Sequence, residues 1–83
     1  MAKGKSGGRA VVDIGALVHF VLPHGVARGE HRPAVVVLVL ESGAVNLQAF
    51  TDGGDQLPCP FFAGGVEQDE KAAPGTWHAP EKG

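Results

Sequence analysis

Four histidines and one cysteine are the side chains of this chain best suited to bind a metal ion or to act as nucleophiles. Six residues separate His24 from His31 within one loop, and the sequence contains no C-x-x-C or H-x-x-x-H spacing typical of metal sites. Cys59, between two prolines, could act as a nucleophile if His19 or His78 lay beside it. An isolated thiol is more often a small buried hydrophobe. We therefore expect no metal and no cofactor.

Acidic residues offer a second candidate chemistry. Asp52 and Asp55 with Glu30 could form a carboxylate site, but acidic residues in a glycine-rich turn usually bond to the backbone instead. The sequence also has no phosphate-binding loop, no dinucleotide fingerprint and no nucleophile elbow. We expect a protein that is not an enzyme and has no catalytic residues.

The elements that must position these side chains begin with two apolar runs at residues 34–40 and 45–50. The first is rich in β-branched residues and the second alternates apolar with polar residues. Residues 41–44, which include a glycine, are the short connection between them. Together they predict a β-hairpin.

Further strands are predicted on both sides of this hairpin. Residues 16–22 alternate, with Val18, Phe20 and Leu22 on one face and Leu17, His19 and Val21 on the other. Residues 23–33 are rich in glycine, proline and charge and predict a loop, and residues 61–66 predict a short strand.

No segment has helical periodicity of useful length. We therefore predict an all-β fold, a small partly open barrel of four to five strands that is either SH3-like or OB-like and is closed by the segment around Trp77. Phe20, Phe50 and Trp77 are predicted to lie in its core.

Length and composition predict one small domain at residues 11–83, preceded by a flexible basic arm at residues 1–10. A chain of 83 residues is marginally stable, and one cysteine cannot form an intrachain disulfide. Additional stability must therefore come from a metal or a partner. The longest apolar run, residues 33–40, is too short for a membrane helix. With no apolar leader, we expect a protein made in the cytoplasm, with no membrane partner.

Charge is unevenly distributed. Three of the seven basic residues, Lys3, Lys5 and Arg9, lie within the first nine positions. The rest of the chain contains the other four basic residues and all nine acidic residues. Such an arm is either a solubilising tail or a contact for an acidic neighbour subunit or a nucleic acid. Three charges are few for nucleic-acid binding, which is therefore not favoured.

Polar residues cluster at the open end of the predicted hairpin. Arg32 and Asp52 should lie side by side there, and a structural salt bridge between them is the favoured interpretation. The alternative is a pocket for a small anionic or nucleotide ligand. Its candidate residues are His31, Arg32, Asn46, Gln48, Asp52, Trp77 and His78.

The predicted strands are apolar on both faces apart from His19, so their outward residues need cover. A second copy of the chain is the simplest cover, and a C-terminal segment folded over the outer face is the alternative. The expected subunit contacts are Lys3, Lys5, Arg9, Leu17, Val21, Val35, Val37 and Val39.

Three sequence blocks carry a resemblance, namely GEHRPA at residues 29–34, VNLQAFTDG at 45–53 and PGTWHAPE at 74–81. In order and spacing they resemble a small, largely uncharacterised protein family of tailed phages. The resemblance implies a viral structural protein located in the virion, such as a capsid decoration or connector protein, which contacts itself and other viral structural proteins. An oligomeric module that sequesters an anionic or nucleotide host signal is the alternative.

Overall fold

The computed structural model describes residues 12–80, and these residues form a single antiparallel sheet that curls into a half-barrel. Its strands are β1 (Leu17–Val21), β2 (His31–Val39), β3 (Val45–Ala49), β4 (Phe61–Val66) and β5 (Trp77–His78). They lie in the order β4-β3-β2-β1-β5. The predicted all-β class is confirmed. A four-strand meander with β5 added beside β1 differs from the Greek key of an OB-fold.

The predicted basic arm, with Lys3, Lys5 and Arg9, lies outside the described residues. Among the described residues, no helix is long or apolar enough to cross a membrane.

The core lies on the concave face of the sheet. Val18 and Phe20 of β1 are almost fully buried, as the alternation predicts, and Trp77 from β5 packs into the same cluster. The other buried members are Leu22, Ala34, Val36, Val45, Leu47, Ala49 and Val66. The prediction for Phe50 is wrong, because this residue follows the last paired residue of β3 and is 48% exposed.

The predicted hairpin is confirmed as β2 and β3. Its turn is closed by a 2.9 Å bond from the Gly43 amide to the Leu40 carbonyl, and Gly43 has a φ of +95°, which a side chain would disfavour. β2 begins at His31, three residues earlier than predicted, and includes Pro33. Proline has no N–H group to donate, and the Pro33 nitrogen points toward the β3 side of the strand. The strand tolerates Pro33 because β3 has already ended there, and the Pro33 carbonyl still accepts a bond from the Phe50 amide.

A β-bulge interrupts β2 between Val36 and Leu38. Val37 is the extra residue, Leu38 is opposite Asn46, and Val39 is opposite the fully buried Val45. The strict alternation that placed Val35, Val37 and Val39 on one outward face therefore fails beyond the bulge. Leu38 takes the outward place predicted for Val39, and Val39, the last residue of β2, is 38% exposed.

The C-terminal segment lies beside β1 at the Val21 end of the strand. Val21 is fully buried, and its backbone bonds to Gly75 and Thr76 at 2.8 and 2.9 Å. The prediction of Val21 as a subunit contact is therefore wrong. Leu17 at the other end of β1 remains 56% exposed.

Candidate functional site

Three of the four histidines meet on the outer face of the sheet. His19 of β1 is the direct cross-strand partner of His78 of β5. His31 of β2 is opposite Val21, two residues further along β1, so it lies diagonal to His19. Each histidine comes from a different strand, and the hydrogen-bonded ladder sets their relative positions.

The three rings are close and edge-on to one another. Their centroids are 4.8 Å apart for His31 and His78, 5.6 Å for His19 and His78, and 6.5 Å for His19 and His31. One ring nitrogen from each residue lies within 4.8 Å of the other two. His78 is buried, and His19 and His31 are partly buried, so the cluster opens to solvent on one side.

This cluster differs from the sequence expectation, which found no metal site. That expectation considered spacing along the chain, where twelve positions separate His19 from His31 and a further forty-seven separate His31 from His78. The only signal in the sequence was the outward position of His19 on the first predicted strand. Pairing β5 with that strand, in the observed register, is what brings the three residues together.

The other candidate nucleophile and metal ligand lie elsewhere. His24 is exposed in the loop before β2 and packs edge-on to Phe61, with ring centroids 6.0 Å apart. Cys59 is exposed as well, so the expectation of a small buried hydrophobe is wrong for this thiol.

Arg32 forms a salt bridge at the open end of the hairpin, but with Asp55 rather than the predicted Asp52. Its Nε and Nη2 atoms donate to the two Asp55 carboxylate oxygens at 2.8 and 2.6 Å, and Nη1 donates to the His31 carbonyl at 2.8 Å. The hydrogen bond to Asp55 raises the pKa of Arg32. The same bond, together with one from the Asp52 amide, lowers the pKa of the buried Asp55 carboxyl.

Asp52 and Asp55 cap the short 3₁₀ helix Gly53–Asp55 reciprocally. The Asp52 carboxylate accepts from the Gly54 amide at 2.9 Å, and the Asp55 carboxylate accepts from the Asp52 amide at 2.7 Å. This arrangement is the predicted use of acidic residues to bond to the backbone of a glycine-rich turn. Asp55 is the residue that sequence reasoning missed as the partner of Arg32, because the 3₁₀ helix reverses the chain after Asp52.

The predicted ligand site is divided between two faces of the sheet. His31 and Arg32 are consecutive in β2, as are Trp77 and His78 in β5, so one member of each pair faces outward and the other faces the core side. His31 and His78 lie together on the outer face, beside His19. Arg32 and Trp77 are both cross-strand partners of the core residue Phe20.

The two amide residues of that set lie on the outer side of β3 and are partly buried. The Asn46 side-chain oxygen accepts from the Gly65 amide of β4 at 2.9 Å. Gln48 is the cross-strand partner of both Val35 and Phe62. These residues therefore belong to the apolar part of the outer face and are not neighbours of Arg32.

An apolar surface occupies that part of the outer face. Leu17, Val35, Gln48 and Phe62 form one cross-strand row over β1 to β4. Val37 and Leu38 continue it at the bulge. Here the outer apolar patch means Leu17, Val35, Val37, Leu38 and Phe62, all exposed except the partly buried Val35.

Comparison with other proteins gives no family assignment. The chain matches no protein-family model, no curated protein and no solved structure.

Proposed function

We propose that this protein is a viral structural protein, a small β-barrel virion component of the decoration or connector kind. It acts by contacting copies of itself and other viral structural proteins. The observation that carries this proposal is the outer apolar patch, and the resemblance of three sequence blocks to a tailed-phage family supplies the viral setting.

The patch favours a partner for a physical reason. Leu17 and Phe62 each expose 56% of their surface, and they lie in strands rather than in loops. Exposed apolar side chains cost free energy in water, and clusters of them on a sheet surface mark interaction sites in soluble proteins. A domain of this size also has a small core, so burial of the patch against a second copy would add stability that the monomer lacks.

The edge of the sheet next to Phe62 supports the same kind of contact. β4 pairs only with β3 among the described strands, and its sequence, FFAGGV, contains no charge and no proline. Natural edge strands usually contain charged residues or proline, which prevent pairing with other chains. Two copies could join their β4 edges antiparallel across a twofold axis, which extends the sheet and places both Phe62 residues near the junction.

The ligand-binding alternative has less support from the geometry. Three of the five N–H groups of Arg32 already donate to Asp55 and to the His31 carbonyl, and the Asp55 carboxylate already pairs with its charge, which weakens the attraction of the guanidinium for a further anion. The amides of Asn46 and Gln48 also lie away from it, beside the outer apolar patch.

Charge substitutions in the patch test the proposal. Phe62→Lys and Leu17→Lys should shift the full-length protein from an oligomer to a monomer in light-scattering chromatography, with little loss of secondary structure. Val26→Lys is the matched control, because Val26 is 68% exposed but lies in the loop before β2. An oligomer that survives both patch substitutions would contradict the proposal.

A further inference from the structure

We propose that His19, His31 and His78 form a binding site for a divalent transition-metal ion, with zinc as the reference ion. This inference is independent of the proposed viral role and rests on the positions of the three rings. It also revises the expectation, drawn from sequence spacing, that the chain has no metal site.

The distances suit metal binding after small side-chain rotations. In a tetrahedral site with zinc to nitrogen distances of about 2.0–2.1 Å, two ligand nitrogens lie about 3.3–3.4 Å apart. Here one nitrogen from each histidine already lies within 4.8 Å of the others. The widest gap therefore exceeds the liganded spacing by about 1.5 Å, which rotation about imidazole side-chain torsions can close without moving a strand.

The ligand chemistry selects the kind of ion. The group contains three imidazoles and neither a carboxylate nor a thiolate. Imidazole nitrogen suits zinc, copper, nickel and cobalt, whereas calcium and magnesium require oxygen ligands. Three protein ligands leave a fourth position, and the partial exposure of His19 and His31 lets water or an external group reach it.

The backbone fixes the site before any ion binds. His19 and His78 are held by the β1–β5 ladder, and His31 by the β1–β2 ladder. The Asp69 amide bonds to the Trp77 carbonyl, and the Trp77 amide bonds to the Glu67 carbonyl, so β5 is anchored from its second side as well. A site on paired strands loses less conformational entropy on binding than a site on loops.

A bound ion would join three strands of the half-barrel. β5 has only two residues, and a metal ligated by His78 would tie it to both β1 and β2. The single cysteine excludes an intrachain disulfide, so a metal is one of the few staples open to this small domain. Because the ion binds only the assembled site, it should stabilise the folded state.

Zinc titration of the tag-free, full-length protein, after chelator treatment, tests the site by calorimetry. We expect one zinc ion per chain and a melting temperature higher by about 10 °C or more when free zinc is a hundred times the dissociation constant. Trp77, the only tryptophan and the neighbour of His78, gives an independent fluorescence signal for the same titration.

Histidine variants separate this site from adventitious binding. His31→Ala and His19→Gln should each weaken zinc binding at least tenfold and reduce the thermal shift at the same zinc concentration to about half or less. His24→Ala is the control and should bind like the parent, because His24 lies outside the cluster. His19 and His31 are only partly buried, so these variants should fold even if His78→Ala does not. Absence of zinc binding by the parent, or equal binding by the His31 and His24 variants, would overturn the proposal.

Discussion

Arg32 and Asp55 are 23 residues apart in the chain and are joined by two parallel hydrogen bonds of 2.8 and 2.6 Å. The pair connects the start of β2 to the 3₁₀ helix that follows β3, and the Asp55 side chain is almost completely buried. Asp55 also accepts the Asp52 amide, so one carboxylate holds both the guanidinium and the cap of the 3₁₀ helix. This residue anchors the connection between β3 and β4.

Asp55→Asn should therefore destabilise the protein more than any other carboxyl-to-amide change among the described residues. An amide cannot accept two bonds from the guanidinium and one from the backbone, and the charge of Arg32 would lose its partner. Urea unfolding of the variant at neutral pH measures the loss. Asp13→Asn, at an exposed turn, serves as the control and should change the free energy of unfolding by less than about 0.5 kcal/mol.

The Arg32–Asp55 pair predicts that the stability of the protein depends on pH in the acidic range. The pKa of Asp55 is lower in the folded protein than in the unfolded chain, so its carboxylate binds protons more readily once the protein unfolds. The stabilisation is complete above the ordinary aspartate pKa of about 3.9 and is lost as the pH falls from there through the lowered pKa. Melting temperatures should fall steeply in this range for the parent and less steeply for Asp55→Asn. Parallel curves for the two proteins would contradict the assigned role.

Core packing predicts a contrast between two aliphatic side chains. Leu47 of β3 is fully buried, whereas Ile14 is 66% exposed in the turn before β1. Leu47→Ala should lower the free energy of unfolding by about 2–5 kcal/mol, because it removes transfer energy and leaves a cavity. Ile14→Ala should stay within about 0.5 kcal/mol of the parent. Comparable losses in the two variants, measured by urea unfolding, would show that the concave face is not the core.

The hairpin turn predicts a contrast between two glycines. Gly43 has a φ of +95°, which is costly for any residue with a Cβ atom. Gly53 has no such angle, and a Cβ there would meet nothing within 4 Å. Gly43→Ala should therefore destabilise the protein by about 1–2 kcal/mol, and Gly53→Ala should be close to neutral. Thermal unfolding of both variants tests the turn, and equal effects would argue against the left-handed conformation at Gly43.

Much of the fold was predictable because local patterns agree with it. The alternation in β1 predicted its buried face, and β4 has the predicted bounds of 61–66. The β-bulge was not predictable, since the run AVVVLVL contains only apolar residues and gives no sign of where the alternation changes phase. The prediction that Phe50 lies in the core fails because β3 ends at Ala49, so the alternation of the strand does not extend to Phe50.

The candidate sites were harder to predict because they depend on which strands pair. Arg32 was expected to bind the acidic residue nearest the end of β3, but the 3₁₀ helix brings Asp55 to it instead. The histidine cluster depends on β5 pairing with β1 in one register, and a shift of one residue would place Trp77 outside and His78 in the core. A two-residue strand carries no pattern that fixes such a register.

Native mass spectrometry of the full-length, tag-free protein, after removal of metal by a chelator, tests the proposed assembly role most directly. We predict a dimer or larger oligomer at a whole multiple of the chain mass, without a bound small molecule, which shifts to monomer in Phe62→Lys but not in Val26→Lys. A monomer at every concentration would contradict self-association through the outer apolar patch. A single closed oligomer that retains a nucleotide-sized mass would instead support the ligand-binding alternative.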